Sequence, residues 1–169
     1  MSADLRSELE NFLQSLNIET SCVEHPPVLT VEQMMPHLQH IDGVATKNLF
    51  LKEKKKNNLW LVCVRHDREI NLNQLGNKLG VKSGNLRFTD EKTLLQTLKV
   101  QQGCVSVLSL LFDHAHHVQL LLDRDLLEGN HHMIFSHPMS NSASLGLKPA
   151  DLLRFLEATN HSAALESFD

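Results

Sequence analysis

The sequence predicts a single mixed α/β domain, of the α+β kind, in which short helices and short strands pack around one core. Three observations predict it. The chain has 169 residues, of which 41% are hydrophobic and 21% charged, a size and composition that can bury a substantial core. Helical and strand periodicities alternate along the chain. No repeat, linker or low-complexity tract interrupts them, so we expect residues 1–169 to form one domain.

The first third of the chain predicts a helix, a strand and a second, short helix. The opening segment places five apolar residues on one helical face, namely Leu5, Leu9, Phe12, Leu13 and Leu16. Residues 20–24 are predicted to form a strand that ends at Pro26 and Pro27. Thr30 followed by Gln33 has the spacing of a capping box, and the helix that begins there is cut short by Pro36.

A β-hairpin is predicted in the next segment. Residues 49–52 and 59–64 have strand-like composition and are joined by a loop of lysines and asparagines. Trp60, in the second strand, is interpreted as a packing residue and not as a stacking platform. The lysine loop has two interpretations that the sequence leaves open, a solvated turn or a local basic patch that holds RNA weakly.

Two capped helices are predicted in the middle of the chain. Asn71 is expected to cap a helix that continues through Leu79 and ends at Gly80. Thr89 is expected to cap another that continues through Leu98. Neither helix carries a residue pattern that indicates chemistry.

The remaining elements are two core strands and a last helix. Residues 105–111 and 118–123 are almost wholly apolar, which predicts a hairpin of a central sheet covered on both faces. Pro149 is expected in the first turn of a final amphipathic helix. An acidic tail, residues 166–169, follows that helix.

Composition narrows the class of protein. The net charge of −4, with histidine neutral, disfavours a large nucleic-acid interface, because such interfaces are basic. The start of the chain has no apolar signal core, and no apolar run approaches the length of a membrane span. Cys22, Cys63 and Cys104 are widely spaced, which disfavours disulfides and structural zinc. We expect a cytoplasmic protein with reduced thiols, no membrane partner and no DNA partner.

Three polar loops carry the residues that can perform chemistry. Lys47 and Asn48 lie at the mouth of an apolar strand, Gly103 opens a turn before an apolar run, and His137 precedes Pro138. If the strands share one sheet, the three loops meet at one cleft. The residues alone leave structural alternatives open: Lys47 as a surface lysine at a strand start, His137 as a loop cap, and Asn141 as an Asx-type loop brace.

Six segments in order resemble the freestanding prolyl-tRNA editing domains, also described as YbaK-like or prolyl-tRNA synthetase associated domains. They span nearly the whole chain and comprise residues 23–28, 30–32, 46–51, 103–106, 137–141 and 151–156. Members are relatives of the insertion domain of bacterial prolyl-tRNA synthetase and remove wrongly attached amino acids from tRNA. The resemblance implies a mixed, mostly antiparallel central sheet flanked by helices.

The resemblance also implies an activity and a site. The activity is that of a trans-editing aminoacyl-tRNA deacylase, a hydrolase that acts on mischarged proline tRNA and most simply on its alanyl ester. The catalytic residues by resemblance are Lys47, Gly103 and His137. The substrate-binding residues are two amides and the loop after the glycine, namely Asn48, Cys104, Val105, Ser106, Val107 and Asn141. Backbone N–H groups of residues 103–105 can form an anion nest there.

One position departs from the family pattern. The family has a proline four residues after the glycine, where this chain has Val107. We therefore expect the size and rigidity of the pocket to differ from those of a typical alanine editor, which leaves alanine, serine, cysteine and threonine as amino acids to be removed. Cys104 is interpreted as a packing residue, because no neighbouring histidine or aspartate in the sequence activates its thiol.

No cofactor and no metal is predicted. The histidines at 114–117 and 131–137 lack the spacing that places zinc ligands on one face. The expected partners are the acceptor end of a mischarged tRNA and prolyl-tRNA synthetase. Two other functions stay open, a non-catalytic tRNA- or synthetase-binding module of the same fold and a histidine-metal hydrolase unrelated to tRNA.

Overall fold

Strands and helices alternate in a computed structural model that describes residues 2–82 and 84–169. Met1 and Ser83, which belong to the expected domain 1–169, lie outside the described residues. The strands are β1 (Thr20–Glu24), β2 (Val44–Glu53), β3 (Leu59–Arg65), β4 (Leu86–Phe88), β5 (Val118–Asp123), β6 (Ile134–Ser136), β7 (Ala143–Leu147) and β8 (Ala163–Glu166). The helices are α1 (Ser2–Ser15), α2 (Val31–Met34), α3 (Leu72–Leu79), α4 (Glu91–Leu98), α5 (Arg124–Glu128) and α6 (Pro149–Ala158). Two 3₁₀ helices span Met35–Leu38 and Val107–Phe112.

The strands form one sheet in the order β1-β7-β6-β2-β3-β5-β8, with β4 added to β2. The pairs β1-β7, β6-β7, β2-β3 and β2-β4 are antiparallel, whereas β2-β6, β3-β5 and β5-β8 are parallel. The expectation of a mixed sheet flanked by helices is therefore confirmed.

Strand β2 has three partners, and this arrangement leaves part of one edge free. One edge pairs with β3 from Thr46 to Lys52. The other edge is shared by β6, which pairs near Val44, and β4, which pairs from Leu51 to Glu53. Within the described residues, the stretch between these two partners, residues 46–50, has no strand beside it on that edge. The sheet is thus open at the middle of β2.

Two apolar clusters lie on opposite faces of the sheet. In the first cluster, Phe50 of β2 packs with residues of α1, α4 and α6, including Leu13, Leu94 and Phe155. In the second cluster, Leu51, the next residue of β2, packs with Leu75 of α3. Because successive strand residues point to opposite faces, β2 contributes to both clusters. Burial on both sides fixes the position of β2 and therefore of its free edge.

Several predicted elements have the expected bounds. The predicted strand at Thr20–Glu24 and the helices that begin after Asn71 and at Pro149 are confirmed. The second helix predicted for the middle of the chain is shifted by one residue, because Asp90 and not Thr89 caps it, with its carboxylate accepting from the Thr93 N–H at 2.9 Å. An aspartate accepts this bond more strongly than a threonine, since its oxygen is charged.

The predicted strand at residues 105–111 is wrong. The structure has a 3₁₀ helix at Val107–Phe112, and residues 118–123 pair with β3 and β8 instead. Ser106 caps the 3₁₀ helix by accepting from the Leu108 N–H, and its own N–H donates to the Ser109 hydroxyl. Nearly all side chains of the 3₁₀ helix are buried, and a short apolar run without an exposed face carries no period that separates strand from helix.

The last residues add a strand to the sheet and form an ion pair with Arg68. Strand β8 pairs with β5 in parallel, although the sequence indicated only an acidic tail there. Asp169 accepts from the Arg68 guanidinium at 2.7 Å, and that guanidinium also bonds to the fully buried Asp123 at 2.9 Å. Trp60 packs in the second cluster, as predicted. Among the described residues, no helix has the length and apolar content needed to cross a bilayer.

Candidate active-site cleft

A cleft of about 610 Å³ lies at the free middle edge of β2. It is bordered by the three segments that the sequence expected to converge: β2 itself, the turn at residue 103 and the loop after β6. Five of the predicted site residues line it, namely Lys47, Asn48, Gly103, Val105 and His137. The rest of the wall comes from α2, α4 and the end of β4.

Thr46 fixes the orientation of the Asn48 amide. The Thr46 hydroxyl donates to the Phe135 carbonyl at 2.9 Å, and because it has a single proton it must accept from the Ser136 hydroxyl at 2.8 Å. Its second lone pair accepts from Asn48 Nδ2 at 3.3 Å. Nδ2 therefore faces Thr46, and Oδ1 faces away.

The Oδ1 atom of Asn48 is buried and has no hydrogen-bond partner among the described residues. A buried acceptor without a donor costs about 1–3 kcal/mol, so such an atom is rare unless a ligand or water supplies the bond. The backbone of Asn48 also presents polar groups at the free edge of β2. Val44 and Phe50 direct their backbone groups to the β6 and β4 side of β2, so by alternation Asn48 directs its own N–H and C=O to the free edge.

Lys47 supplies a positive charge that has no counter-ion among the described residues. It is half-buried, lines the cleft and lies opposite Val64 in the β2-β3 register. Within the described part of the chain, no ion pair includes its ammonium. A half-buried cation without an anion favours the approach of a phosphate or an oxyanion.

His137 is held as a neutral imidazole with one free nitrogen. Its Nδ1–H donates to the Ala143 carbonyl at 2.9 Å, which fixes the tautomer, since a carbonyl can only accept. Burial lowers the pKa of His137 below its ordinary range, and the neighbouring His25 lowers it further. The Nε2 atom, which has no partner among the described residues, is therefore a hydrogen-bond acceptor. His137 is thus a positioned acceptor at the cleft.

His25 braces the same loop from below. Its Nδ1–H donates to the Pro26 carbonyl at 2.9 Å, and its Nε2 accepts from the Ser144 hydroxyl at 3.0 Å. The rings of His25 and His137 are 6.3 Å apart between centroids. Both histidines thus bond to neighbouring residues of β7, which holds their relative position.

Gly103 occupies a turn that requires glycine. Its φ is +90°, and Cys104 N–H donates to the Gln101 carbonyl at 3.0 Å, which closes the turn. A methyl group at this position would also lie 3.4 Å from Leu29. Because the Cys104 N–H is used inside the turn, the expected anion nest of residues 103–105 is reduced to the N–H groups of Gly103 and Val105, which have no acceptor among the described residues.

Four predicted substrate-binding residues do not line the cleft. Ser106 is fully buried, and its hydroxyl donates to the His137 carbonyl at 2.7 Å, so it ties two cleft loops together. The backbone carbonyl of Asn141 accepts from the Val28 N–H at 3.1 Å, and its side-chain Nδ2 would lie 3.7 Å from a methyl group placed at Gly103, so the side chain is next to the cleft turn without lining the cleft. Cys104 packs against the first apolar cluster, and burial raises the pKa of its thiol, which disfavours the reactive thiolate.

Val107 also lies away from the cleft. It is the first residue of the 3₁₀ helix and is 1% exposed in the apolar core. The expectation that Val107 contacts substrate is therefore corrected. Proline is tolerated at the first position of a helix because the N–H there has no acceptor in the helix, which accounts for a proline at this position in the family pattern.

Sequence reasoning missed the residues that position Asn48 and those at the rim of the cleft. Thr46 is the first residue of the segment 46–51, but no role was predicted for it. Ser136 has no recognisable sequence pattern, because it contacts Thr46 only through the parallel β2-β6 pair. Leu29 and Phe88 stand at the rim with exposed side chains. Phe88 ends a strand of three residues, which is too short to predict from periodicity.

The other histidines of the two clusters and the hairpin lysines lie outside the cleft. His114, His116 and His117 are exposed, and His131 bonds to Asp125 at 2.8 Å. Among the described residues, no group of three metal-ligating side chains is placed to hold an ion. The hairpin lysines at residues 54–56 are exposed.

Comparison with known proteins identifies relatives along almost the whole chain. The sequence profile of the aminoacyl-tRNA editing domain matches residues 25–155. The prolyl-tRNA synthetase associated domain-containing protein 1 of Danio rerio is 56% identical over 166 residues, which cover 98% of this chain and 89% of the relative. The prolyl-tRNA editing protein ProX of Acetoanaerobium sticklandii is 31% identical over 163 residues and covers 96% of each chain.

Solved structures have the same architecture. The crystal structure of a candidate trans-editing enzyme for prolyl-tRNA synthetase superposes with a TM-score of 0.68, covering 95% of this chain and 94% of that one, at 17% sequence identity. At this identity the likeness concerns the fold alone. The mixed sheet with its helices is therefore an editing-domain fold.

Proposed function

Because this chain belongs to the aminoacyl-tRNA editing domain family and is related to a prolyl-tRNA editing protein, we propose that it hydrolyses the ester of mischarged proline tRNA. The whole chain, residues 1–169, acts as one editing domain in this proposal. Its substrate is the aminoacyl ester at the acceptor end of the tRNA, with alanine as the amino acid most simply removed.

One observation carries the proposal: the free edge of β2 gathers polar groups that have no partner in the described part of the chain. These groups are the ammonium of Lys47, the buried Oδ1 of Asn48, and Nε2 of the neutral His137. A cation, an acceptor and a base around one cleft match an ester with a developing oxyanion, a ribose hydroxyl and an attacking water. No covalent nucleophile is needed, because an aminoacyl ester is already activated.

The proposed reaction is direct hydrolysis. Nε2 of His137 accepts the proton of a water molecule as the water oxygen bonds to the ester carbonyl carbon. Lys47 and the N–H of Gly103 stabilise the negative charge that develops on the carbonyl oxygen. The bond from the carbonyl carbon to the ribose oxygen then breaks, and the ribose oxygen takes the proton back from His137. The products are the free amino acid and uncharged tRNA.

Asn48 has a separate role in this scheme. Its Oδ1 accepts a hydrogen bond from the ribose hydroxyl next to the ester, because the Thr46 contact keeps Nδ2 turned away. A fixed acceptor holds the ribose and therefore the ester carbonyl relative to His137. Positioning of this kind supplies a large part of the rate in reactions whose chemistry is easy.

The biological logic is a second sieve. A synthetase pocket for proline discriminates against a smaller amino acid by only about 1–3 kcal/mol per methylene group, so errors must be removed afterwards. The editing cleft has apolar walls from Val31, Met34, Phe50 and Val105, which suit an apolar amino-acid side chain. Serine, cysteine and threonine are the other candidates by size.

The test is a deacylation panel. Alanyl, seryl, cysteinyl, threonyl and prolyl forms of proline tRNA are each incubated with the protein, and loss of the ester is followed in single turnover. We expect rapid loss of the alanyl form and no loss of the prolyl form. Hydrolysis of none of the forms, with binding of uncharged tRNA retained, would instead establish the non-catalytic tRNA-binding module.

Treatment with a metal chelator tests the remaining alternative, a histidine-metal hydrolase. Preincubation with a metal chelator should leave the rate unchanged if the side chains act as described. A rate abolished by the chelator and restored by zinc would replace this scheme with metal-assisted hydrolysis.

A further inference from the structure

Two large apolar side chains stand exposed at the rim of the cleft. Among the described residues, four large hydrophobic side chains are strongly exposed: Leu29 at 75%, Phe88 at 59%, Leu153 at 47% and Leu95 at 42%. Leu29 and Phe88 both line the cleft, and Leu95 and Leu153 do not. Single exposed hydrophobic residues are common, but two of them flanking one polar cleft indicate a shared ligand.

Phe88 is held rigidly at this rim. It is the last residue of β4 and lies opposite Leu51 in the β2-β4 register. The next residue, Thr89, donates its N–H to the Phe50 carbonyl at 3.1 Å, so the backbone on both sides of the ring is bonded to β2. An aromatic ring on a fixed strand end loses little conformational entropy when a flat ligand covers it.

The position of Phe88 relative to Lys47 suits one nucleotide. By register and alternation, Phe88, Leu51, Leu49 and Lys47 lie on one face of the sheet. Lys47 and Leu51 are four residue steps apart along β2, which is roughly 13 Å. Side chains from both ends reach into this span, and the apolar Leu49 lies between them.

We infer that Phe88 is the stacking platform for the 3′-terminal base of the tRNA. The inference rests on the proposed function, because an ester held near Lys47 and His137 places the base of the same nucleotide one ribose away, at the rim. Single-stranded nucleic-acid ends are recognised by stacking on aromatic side chains together with a cation for the backbone. Lys47 supplies an ammonium without an ion pair among the described residues, which favours a polyanionic ligand over an apolar protein segment.

The first test compares three variants on alanyl-tRNA. Phe88→Ala removes the platform, Phe88→Trp preserves an aromatic face, and Leu153→Ala removes a similarly exposed side chain away from the cleft. Since stacking on an aromatic residue is worth about 1–3 kcal/mol per base, we expect Phe88→Ala to lower kcat/KM about tenfold, mainly through KM. Phe88→Trp and Leu153→Ala should stay within about twofold of the wild type. An unchanged Phe88→Ala, or an equal loss in Leu153→Ala, overturns the inference.

The second test asks whether the lost contact is with the base. An alanylated RNA whose 3′-terminal nucleotide lacks its base is compared with the intact substrate. The wild type should lose about tenfold on the abasic substrate, and Phe88→Ala should lose nothing more, because the same contact is absent in both. Additive losses overturn the inference and assign Phe88 to another part of the tRNA or to a protein partner.

Failure of the proposed function leaves the inference testable. If the wild-type protein hydrolyses no ester, the function proposed above fails, and affinity is measured with uncharged proline tRNA instead. Weaker binding by Phe88→Ala than by Leu153→Ala, which disappears when the terminal nucleotide is abasic, supports the stacking platform. Equal affinities for the two variants overturn it.

Discussion

Two groups of polar residues in this protein differ in how completely they are bonded. The first, here termed the Asp113 cluster, consists of Asp113, His117, Val118, Thr159 and His161. The Asp113 carboxylate accepts from the N–H groups of His117 and Val118 at 3.0 and 2.9 Å and bonds to His161 at 3.0 Å. His161 in turn contacts the Thr159 hydroxyl at 3.0 Å. In the second group, the cleft, Lys47, Asn48 and His137 each keep a polar group without a partner among the described residues.

The difference shows that the polar bonds of the first group contribute to stability, whereas the polar atoms of the second are available to a ligand. A hydroxyl, an imidazole and a carboxylate stand in line in the Asp113 cluster, as in a hydrolase triad. Yet the single proton of the Thr159 hydroxyl is donated to the Leu156 carbonyl at 3.2 Å and not to His161, and none of these residues lines the cleft. Every strong bond there is internal, so the cluster stabilises the fold. In the cleft the same kinds of atom face a ligand.

The largest expected effect is on stability, from Asp113→Ala. The Asp113 side chain is 2% exposed, and its loss leaves the buried Val118 N–H, the partly buried His117 N–H and the buried His161 without their acceptor. We expect the free energy of unfolding to fall by about 3–5 kcal/mol, measured by urea denaturation. Deacylation per folded molecule should not change.

The matched control is Glu128→Ala, which removes a carboxylate from an exposed pair with Arg124. It should cost less than about 1 kcal/mol, because exposed pairs contribute little. A folded Asp113→Ala protein with lower activity would show that the Asp113 cluster takes part in catalysis, and the contrast with the cleft would then be lost.

The reverse pattern is expected for Lys47→Ala. Removing a cation from a developing oxyanion or a phosphate costs at least about 1.4 kcal/mol, which is a tenfold loss of single-turnover rate or more. Stability should change little, since no internal ion pair is lost. Lys56→Ala, in the exposed hairpin loop, is the control and should keep the wild-type rate. Equal rates for the two variants would make Lys47 an ordinary surface lysine.

A smaller effect, expressed in pH dependence, is expected for His137. Its neutral form is the active one, and because burial lowers its pKa, the rate should hold at pH values where an ordinary histidine with a pKa of about 6.5 is already protonated. As the pH falls below this range, protonation of Nε2 removes the acceptor and the rate declines.

The measurement is the pH profile of kcat/KM for the wild type, His137→Ala and His117→Ala. His137→Ala should lose less rate than Lys47→Ala and should lack the acidic decline. His117, an exposed histidine outside the cleft, serves as the control. An acidic decline that persists in His137→Ala assigns the titration to another group.

Sequence predicted well where local chemistry determines the structure. The amide of Asn71 accepts from two N–H groups of the first turn of α3, and Gly80, with φ of +75°, ends that helix. Such signals involve residues a few positions apart, so they can be read from a single chain. Convergence of the three cleft loops was also predicted, on the condition that the strands beside them share one sheet.

Prediction failed where the deciding contacts are distant in sequence or where burial removes periodicity. Thr46 and Ser136 are 90 residues apart and orient Asn48 only because β2 and β6 pair in parallel. The 3₁₀ helix that begins at Val107 was predicted to be a strand because nearly all of its side chains are buried. The family resemblance, which assigns the loop after Gly103 to the pocket, placed Val107 beside the substrate. Topology, and not composition, decides both points.

The smallest expected effect is that of Val107→Pro, which tests the distinction between core and cleft. Ser106 has φ of −152° and ψ of 171°, an extended conformation that a following proline favours, and the Val107 N–H has no acceptor among the described residues. Proline should therefore fit and change stability by about 1 kcal/mol in either direction. The ratio of alanyl to seryl deacylation rates should stay as in the wild type, because Val107 does not line the cleft. Val105→Ala, two residues away but in the cleft wall, is the matched variant and should lower that ratio by admitting the larger serine. If Val107→Pro shifts the ratio at unchanged folding while Val105→Ala does not, rigidity of the loop and not the shape of its wall sets the sieve.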